Sequence, residues 1–243
     1  MDKIKPLKIV QAVILAGGAG TRLIPFTLSN PKPMVLVNGK PFLEHLINLL
    51  KKNGIKEIVI LTGYLGEKIN RFFGDGKDFG IKIKYSYTPF KDFFGTELKS
   101  GIRILNAHEL IRDNFLLLYC DNYLPFNLKK LAKVYENQKP DILITAYSNP
   151  DHSTKNNVLI SKSGIVQKYD KSRTQEGLNG VEVGYMIVNK KVLNLLPPGN
   201  SKFEDEVFPK LIAQRKLAGL LTDQKYYSIG DIDRLKITAK FLT

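Results

Sequence analysis

The stretch V-I-L-A-G-G-A-G-T-R-L-I-P-F-T-L-S-N-P-K-P-M, residues 13–34, decides how this chain is read. It opens as an apolar strand and turns into a loop carrying Gly17, Gly18 and Gly20. Glycines without side chains let a polyanion approach backbone N–H groups. Arg22 and Lys32 follow among Pro25, Pro31 and Pro33, a fork and a point charge suited to phosphate oxygens. The stretch therefore reads as a phosphate cradle at the end of a strand. It is not a Walker loop, because Gly20 is followed by Thr21 and Arg22 instead of Lys and Ser/Thr. It is not the dinucleotide fingerprint either: Leu23 stands where a small residue is needed, and the prolines oppose a long helix there.

Around this stretch the pattern alternates. The first strand is expected over residues 10–15, apolar enough to be buried on both faces of a parallel sheet. Residues 35–40 read as a short strand entering an Asn-Gly turn, with Pro41 at the first position of a helix whose apolar face runs from Phe42 to Leu50 and which Gly54 stops. His45, inside that helix, is expected to be packed or at the surface. Strands are expected over 57–62, 81–87, 115–119, 141–147, 158–161, 165–170, 180–188, 217–222 and 226–229, with helices over 66–73, 128–135, 192–196 and 203–214 and a last helix at the end. Ser201 and Glu204 have the spacing of a capping box. Strand–helix alternation of this kind implies an α/β, doubly wound, mixed but mainly parallel sheet, with ligands at the carboxyl ends of its strands.

Composition sets the outer bounds. The 243 residues, 43% hydrophobic, suit one α/β domain over residues 1–243, two small ones remaining open, with residues 1–8 as a poorly ordered start. A net charge of +14 draws anionic partners. The basic pairs are scattered over expected helix surfaces, and no RNP, zinc-finger or helix-turn-helix pattern supports nucleic acid as the partner. Cys120 is the single cysteine, so no internal disulfide forms, which fits a reducing, cytoplasmic setting. No apolar run approaches a membrane span. A homodimer is admissible.

The motif L-A-G-G-A-G-T-R-L-x-P-(x)5-P-K-P-M resembles the signature of the sugar-1-phosphate nucleotidyltransferases, and later segments extend the likeness over nearly the whole chain. Those enzymes couple a nucleoside triphosphate to a sugar 1-phosphate and release pyrophosphate. The resemblance implies a Rossmann-like fold of the nucleotide-diphospho-sugar transferase (GT-A-like) kind, without the β-helix domain some relatives add. It implies that Leu15, Ala16, Gly17, Gly18, Gly20 and Thr21 hold the nucleotide, that Arg22 neutralises the β- and γ-phosphates, and that Lys32 sits near the α-phosphate. Gly95 and Thr96 match the Gly-Thr that opens a helix near the nucleobase. Glu97 departs from that pattern: it would accept from the N1–H and amino group of guanine, or serve only as a first-turn acid. Asp121 matches the aspartate that binds Mg²⁺, with Cys120 in place of the usual glycine. On the sugar side Asn157 replaces a glycine, Lys171 matches the lysine that holds the sugar phosphate, and Glu182 takes the place of an Asn that touches a sugar hydroxyl. Ser228 stands where a second metal-binding Asp is usual, leaving Asp231, or waters and phosphate oxygens, to complete the shell.

Further segments (V-N-G-K-P-F-L-E, G-Y-L-G-E-K-I, F-F-G-D) look closest to the heptose-1-phosphate guanylyltransferases, with N-acetylmuramate-1-phosphate uridylyltransferases and glucose-1-phosphate members also similar. The reaction implied is transfer from an NTP, GTP favoured, to a heptose or hexose 1-phosphate. The reading from another class is an inactive nucleotide-sugar or nucleic-acid binding protein on the same fold. Salt-dependent DNA binding without pyrophosphate release would distinguish it.

Overall fold

The computed structural model describes residues 9–242. The start expected over residues 1–8 lies outside them. In chain order the elements are β1 (Gln11–Ala16), α1 (Phe26–Ser29), β2 (Leu36–Val37), β3 (Lys40–Pro41), α2 (Phe42–Lys52), β4 (Glu57–Thr62), α3 (Gly66–Phe73) and β5 (Lys82–Tyr87). Next come α4 (Ser100–Asn106), β6 (Asn114–Tyr119), β7 (Asn122–Tyr123), α5 (Leu128–Gln138) and β8 (Ile142–Tyr147). The rest is β9 (Val158–Ile160), β10 (Val166–Tyr169), β11 (Val181–Asn189), α6 (Phe203–Ala213), β12 (Leu217–Thr222), β13 (Tyr227–Ser228) and α7 (Ile232–Phe241).

Seven strands form one sheet in the order β12-β8-β11-β6-β1-β4-β5. All neighbours are parallel except β11, which runs antiparallel between β6 and β8. The fold is thus a mixed, mostly parallel α/β sheet, as expected. β1, the fifth strand of the seven, lies between β6 and β4 and is buried throughout. Period-two alternation sends Ala12 and Ile14 into the core on one face and Val13 and Leu15 into the core on the other. On the first face α2 contributes Phe42, Leu43, Leu46, Ile47 and Leu50, all fully buried. Each such side chain gains about 1.5–3 kcal/mol on leaving water.

The chain winds from β1 to β4 and β5 on one side, then crosses to β6 on the other side of β1. Strand order therefore reverses at β1/β6, and ligands bind in the crevice at such a point.

Local expectations fail where a side chain takes a backbone partner that periodicity does not encode. Pro41 caps α2 rather than entering it. The capping box at Ser201 does not form: the N-cap of α6 is Lys202, the Phe203 amide donates to Ser100 Oγ at 2.9 Å, and Ser201 Oγ is buried without a partner. Residues 192–196 lie in a 3-10 helix, Lys190–Leu195, rather than an α-helix. β11 carries a bulge between Glu182 and Met186, where Gly184 has φ +76°. A Cβ there would meet the Tyr119 ring at 2.8 Å, so this position needs glycine both for conformation and for space.

Candidate active site

The carboxyl ends of β1 and β6 open onto a cavity of about 380 Å³. Its floor is the loop after β1. Gly20 is left-handed at φ +66° and a Cβ on it would lie 2.9 Å from Lys32 Cβ, so the glycine brings the lysine against the loop. Gly20 O accepts from Leu23 N and from Thr27 Oγ1, which closes the turn and buries Leu23 while Arg22 points into solvent. Arg22 borders the cavity and makes no ion pair or side-chain hydrogen bond among the described residues. Its guanidinium is unspent.

Lys32 sits on a 3-10 turn, Lys32–Met34, between two prolines that restrict its backbone. Its Nζ lies 2.8 Å from Asp121 Oδ2. Asp121 follows β6, and its carbonyl accepts from Ile229 N at 3.0 Å, tying it to the segment before α7. The Lys32–Asp121 pair thus spans the crevice between β1 and β6. Burial pushes the neighbouring Cys120 thiol up to about 12, so this cysteine packs and is not a nucleophile.

Lys171 reaches the cavity from the turn after β10. Asp170 shapes that turn: hydrogen bonds from the Ser172 hydroxyl and the amides of Gln175, Thr174 and Ser172 hold its carboxyl well below the usual carboxylate range. Lys171 Nζ lies 3.3 Å from Glu204 Oε2 on α6, and Glu204 is only 2% exposed. Burial lowers the Lys171 ammonium and raises Glu204 to about 7 despite the lysine beside it. A carboxyl raised from about 4.5 to about 7 by folding stabilises the fold fully below its unfolded value, and that contribution is lost as pH rises through 7. The melting temperature of Glu204→Gln is therefore expected to fall less between pH 5 and 8 than that of the wild type in differential scanning calorimetry. Equal slopes would refute the assignment.

Of the residues expected at the site, Leu15, Gly17, Gly18, Gly20, Thr21, Arg22, Lys32, Glu97, Asp121 and Lys171 border this one cavity. Ala16, Gly95, Thr96, Asn157, Glu182 and Asp231 do not. Gly95 and Thr96 open no helix. Asp92 Oδ1 accepts from the amides of Phe94 and Thr96 and holds them in a turn, and the helix starts at Ser100. Glu97 accordingly lies in a bridge opposite Lys91, not in a helical first turn, and its carboxylate pairs with Lys99 at 3.3 Å. Glu182 turns back on its own strand, where its carboxylate accepts from Gly184 N, and burial pushes it up to about 7. Asn157 is buried: its Oδ1 accepts from Glu182 N at 2.7 Å and its carbonyl from Asp170 N at 2.8 Å, so it braces the Lys171 turn. Asp231 caps α7, its Oδ1 accepting from Arg234 N at 2.9 Å and its Oδ2 lying 3.3 Å from Arg234 Nε.

The cavity also gathers Lys99, Ser100, Arg103 and Lys202, which sequence reasoning missed. Basic residues beside helical apolar positions read as solvated surface, so nothing local marked them. Their wall is held by a clasp between the starts of α4 and α6. Asn200 Oδ1 accepts from Lys99 N at 2.7 Å and its Nδ2 donates to Glu97 O at 3.0 Å, while Gly101 N donates to Ser201 O at 2.8 Å. Positive side chains outnumber carboxylates around the cavity, a field that concentrates a small polyanion in one concave place.

Among the described residues no cluster of three or more His, Cys, Asp or Glu could hold a metal. One carboxylate facing a phosphate cradle is nonetheless the donor set that suits Mg²⁺ arriving on a triphosphate, since that ion keeps waters and phosphate oxygens as most of its shell. Among these residues no helix is long and apolar enough to cross a membrane.

Comparison with known proteins gives a consistent picture. The family model described as nucleotidyl transferase matches residues 11–243. A D-glycero-alpha-D-manno-heptose 1-phosphate guanylyltransferase of Campylobacter jejuni is 33% identical over 223 residues, covering 91% of this chain and 95% of the relative. A probable glucose-1-phosphate cytidylyltransferase of Bacillus subtilis is 30% identical over 226 residues, covering 86% and 87%. The crystal structure of HddC from Yersinia pseudotuberculosis superposes with a TM-score of 0.77 over 97% of this chain and all of that one, at 23% identity, a likeness of fold.

Proposed function

From the premise that this chain belongs to the nucleotidyl transferase family, the sugar-1-phosphate nucleotidyltransferases, we propose that it transfers a nucleoside monophosphate from an NTP, GTP favoured, to a heptose or hexose 1-phosphate. The products are an NDP-sugar for glycan synthesis and pyrophosphate. The observation that carries this reading is the convergence of Arg22, Lys32, Lys171 and Asp121 on one glycine-floored cavity at the β1/β6 crevice. We place the reaction in the cytosol, where triphosphates are available.

An oxygen of the sugar phosphate attacks the α-phosphorus, the bond to the bridging oxygen of the β-phosphate breaks, and pyrophosphate carries away the electron pair. The nucleophile is already ionised at neutral pH, so no general base is needed. Catalysis then consists of alignment and charge neutralisation. The loop amides after β1 and Arg22 take the triphosphate, Lys32 takes the α-phosphate once its partner Asp121 is otherwise engaged, and Lys171 takes the sugar phosphate. Asp121 would hold Mg²⁺, which supplies Lewis-acid stabilisation of phosphate charge when bound.

Relatives named for guanylyl and for cytidylyl transfer are both similar to this chain, so the base and the sugar are tested directly. Four NTPs are assayed against a panel of sugar 1-phosphates for pyrophosphate release. GTP with a heptose or hexose 1-phosphate is expected to give the highest kcat/KM. Preference for another NTP would replace the guanylyl reading, and absence of turnover with every pair would remove the transferase reading.

A further inference from the structure

The lining of the cavity includes a buried cation with a donor to spare. Arg103 on α4 is only 4% exposed, yet it borders the cavity. Its Nη1 donates to Thr88 O at 2.8 Å and Thr62 O at 3.2 Å, its Nη2 to Pro89 O at 3.2 Å, and its Nε to Leu98 O at 3.3 Å. A guanidinium has five N–H groups. These four bonds leave one on Nη2 without an acceptor among the described residues. All four acceptors are neutral carbonyls, and the nearby Glu97 carboxylate is 3.3 Å from Lys99 instead. A buried guanidinium held this way is costly unless something else satisfies it. The group also lies directly under the loop, since a Cβ on either Gly17 or Gly63 would come within 2.4 Å of Nη1.

Position along the sheet indicates what meets the spare donor. Asp121 and Lys32 occupy the β6 side of β1, where the phosphates go in the reading above. Thr62 and Thr88, which cage Arg103, stand at or just beyond the carboxyl ends of β4 and β5, on the other side of β1. Phe90 and Leu98 flank that end of the cavity with apolar surface. A cationic donor between apolar walls, away from the phosphate cations, suits the carbonyl edge of a heterocycle.

We infer that Arg103 is a specificity-determining residue that reads the nucleobase: its free Nη2–H donates to a ring carbonyl oxygen, so the site accepts keto bases and rejects bases that present an exocyclic amino group there. Guanine, through its 6-oxygen, and uracil or thymine, through the 4-oxygen, satisfy the donor. Adenine and cytosine oppose it with donors of their own. This inference rests on the nucleotidyl-transfer reading but predicts something that reading does not.

The test begins with the unmodified enzyme. GTP is compared with 2-aminopurine riboside triphosphate, which keeps the 2-amino group and lacks the 6-oxygen. A loss of about a hundredfold in kcat/KM is expected, the scale of a buried charged donor left unpaired. If UTP proves the better donor, UTP against CTP makes the same comparison. Arg103→Lys, which keeps the charge but loses the fork, is expected to narrow the keto-over-amino preference at least tenfold. Equal use of GTP and the analogue would overturn the inference while leaving the transferase reading intact. So would an Arg103→Lys enzyme that loses the same factor with all four NTPs, the result of a role confined to holding the carbonyls. Should no sugar phosphate be turned over, calorimetric affinities of GTP and the analogue for the wild type decide the matter.

Discussion

Asp121→Ala is expected to lower kcat/KM by a hundredfold or more, about 3 kcal/mol of transition-state stabilisation. The side chain is the cavity carboxylate best placed for a triphosphate-borne cation, and it also holds Lys32 at 2.8 Å. Removing it deletes the proposed metal anchor and frees an ammonium that is 12% exposed. Asp121→Asn separates the two effects: it keeps the size and a hydrogen-bonding group but not the charge, and should be nearly as inactive. The expected readout is a pyrophosphate-release rate that raised Mg²⁺ only partly restores. Thermal stability should change little, because the carboxylate is about a third exposed and such pairs contribute about 1 kcal/mol or less. Activity of Asp121→Ala close to wild type would remove this residue from the reaction.

Arg22→Ala is the second large effect, again a hundredfold or more in kcat/KM. Its guanidinium is exposed and has no ion pair or side-chain hydrogen bond in the described structure, so the fold does not depend on it. Exposed residues without partners usually change stability by less than about 0.5 kcal/mol. The loss should fall chiefly on kcat, since charge accumulates on departing pyrophosphate during bond cleavage and a group acting there stabilises the transition state more than the ground state. Arg22→Lys should recover only part of it, because a point charge cannot bond two phosphate oxygens as the fork does. A variant whose KM alone rises would indicate a role in binding only.

Much of the fold is legible in the chain because its strands are buried on both faces. An apolar run bounded by turn residues then has few alternatives, as with Glu57–Thr62, whose observed limits are those the sequence implies; the amphipathic helix Gly66–Phe73 is found at its expected limits too. That the glycine loop after β1 and Asp121 meet at one sheet edge was legible for a related reason: residues just past adjacent parallel strands share that edge. That the sheet is mixed and mainly parallel agrees with the expectation, but which strand reverses was not legible: it is β11, antiparallel to both β6 and β8. The base-side wall was misplaced by five residues at its helix start, from Gly95 to Ser100, because Asp92 captures two amides that a helix would need free or capped. Arg103 was invisible for a deeper reason. Its role depends on carbonyls of Thr62 and Thr88, which the sheet brings together and no spacing announces. Asp231 illustrates the converse: a carboxylate near a motif is claimed by the nearest helix start.

The clasp between the starts of α4 and α6 has a consequence for how such a chain can change. Residues 97–100 line the cavity together with Lys202 and with Lys171, whose partner is Glu204; in the proposed reaction the first group serves the donor nucleotide and the second the acceptor. Asn200, Ser201 and Ser100 lock these segments together, so the proposed reaction would have the spacing of its two substrates set by one shared wall. Under that reading donor choice and acceptor choice would not be separable modules: an alteration that widens one compartment would displace the other, and a lineage adopting a new sugar would have to readjust its grip on the nucleotide as well.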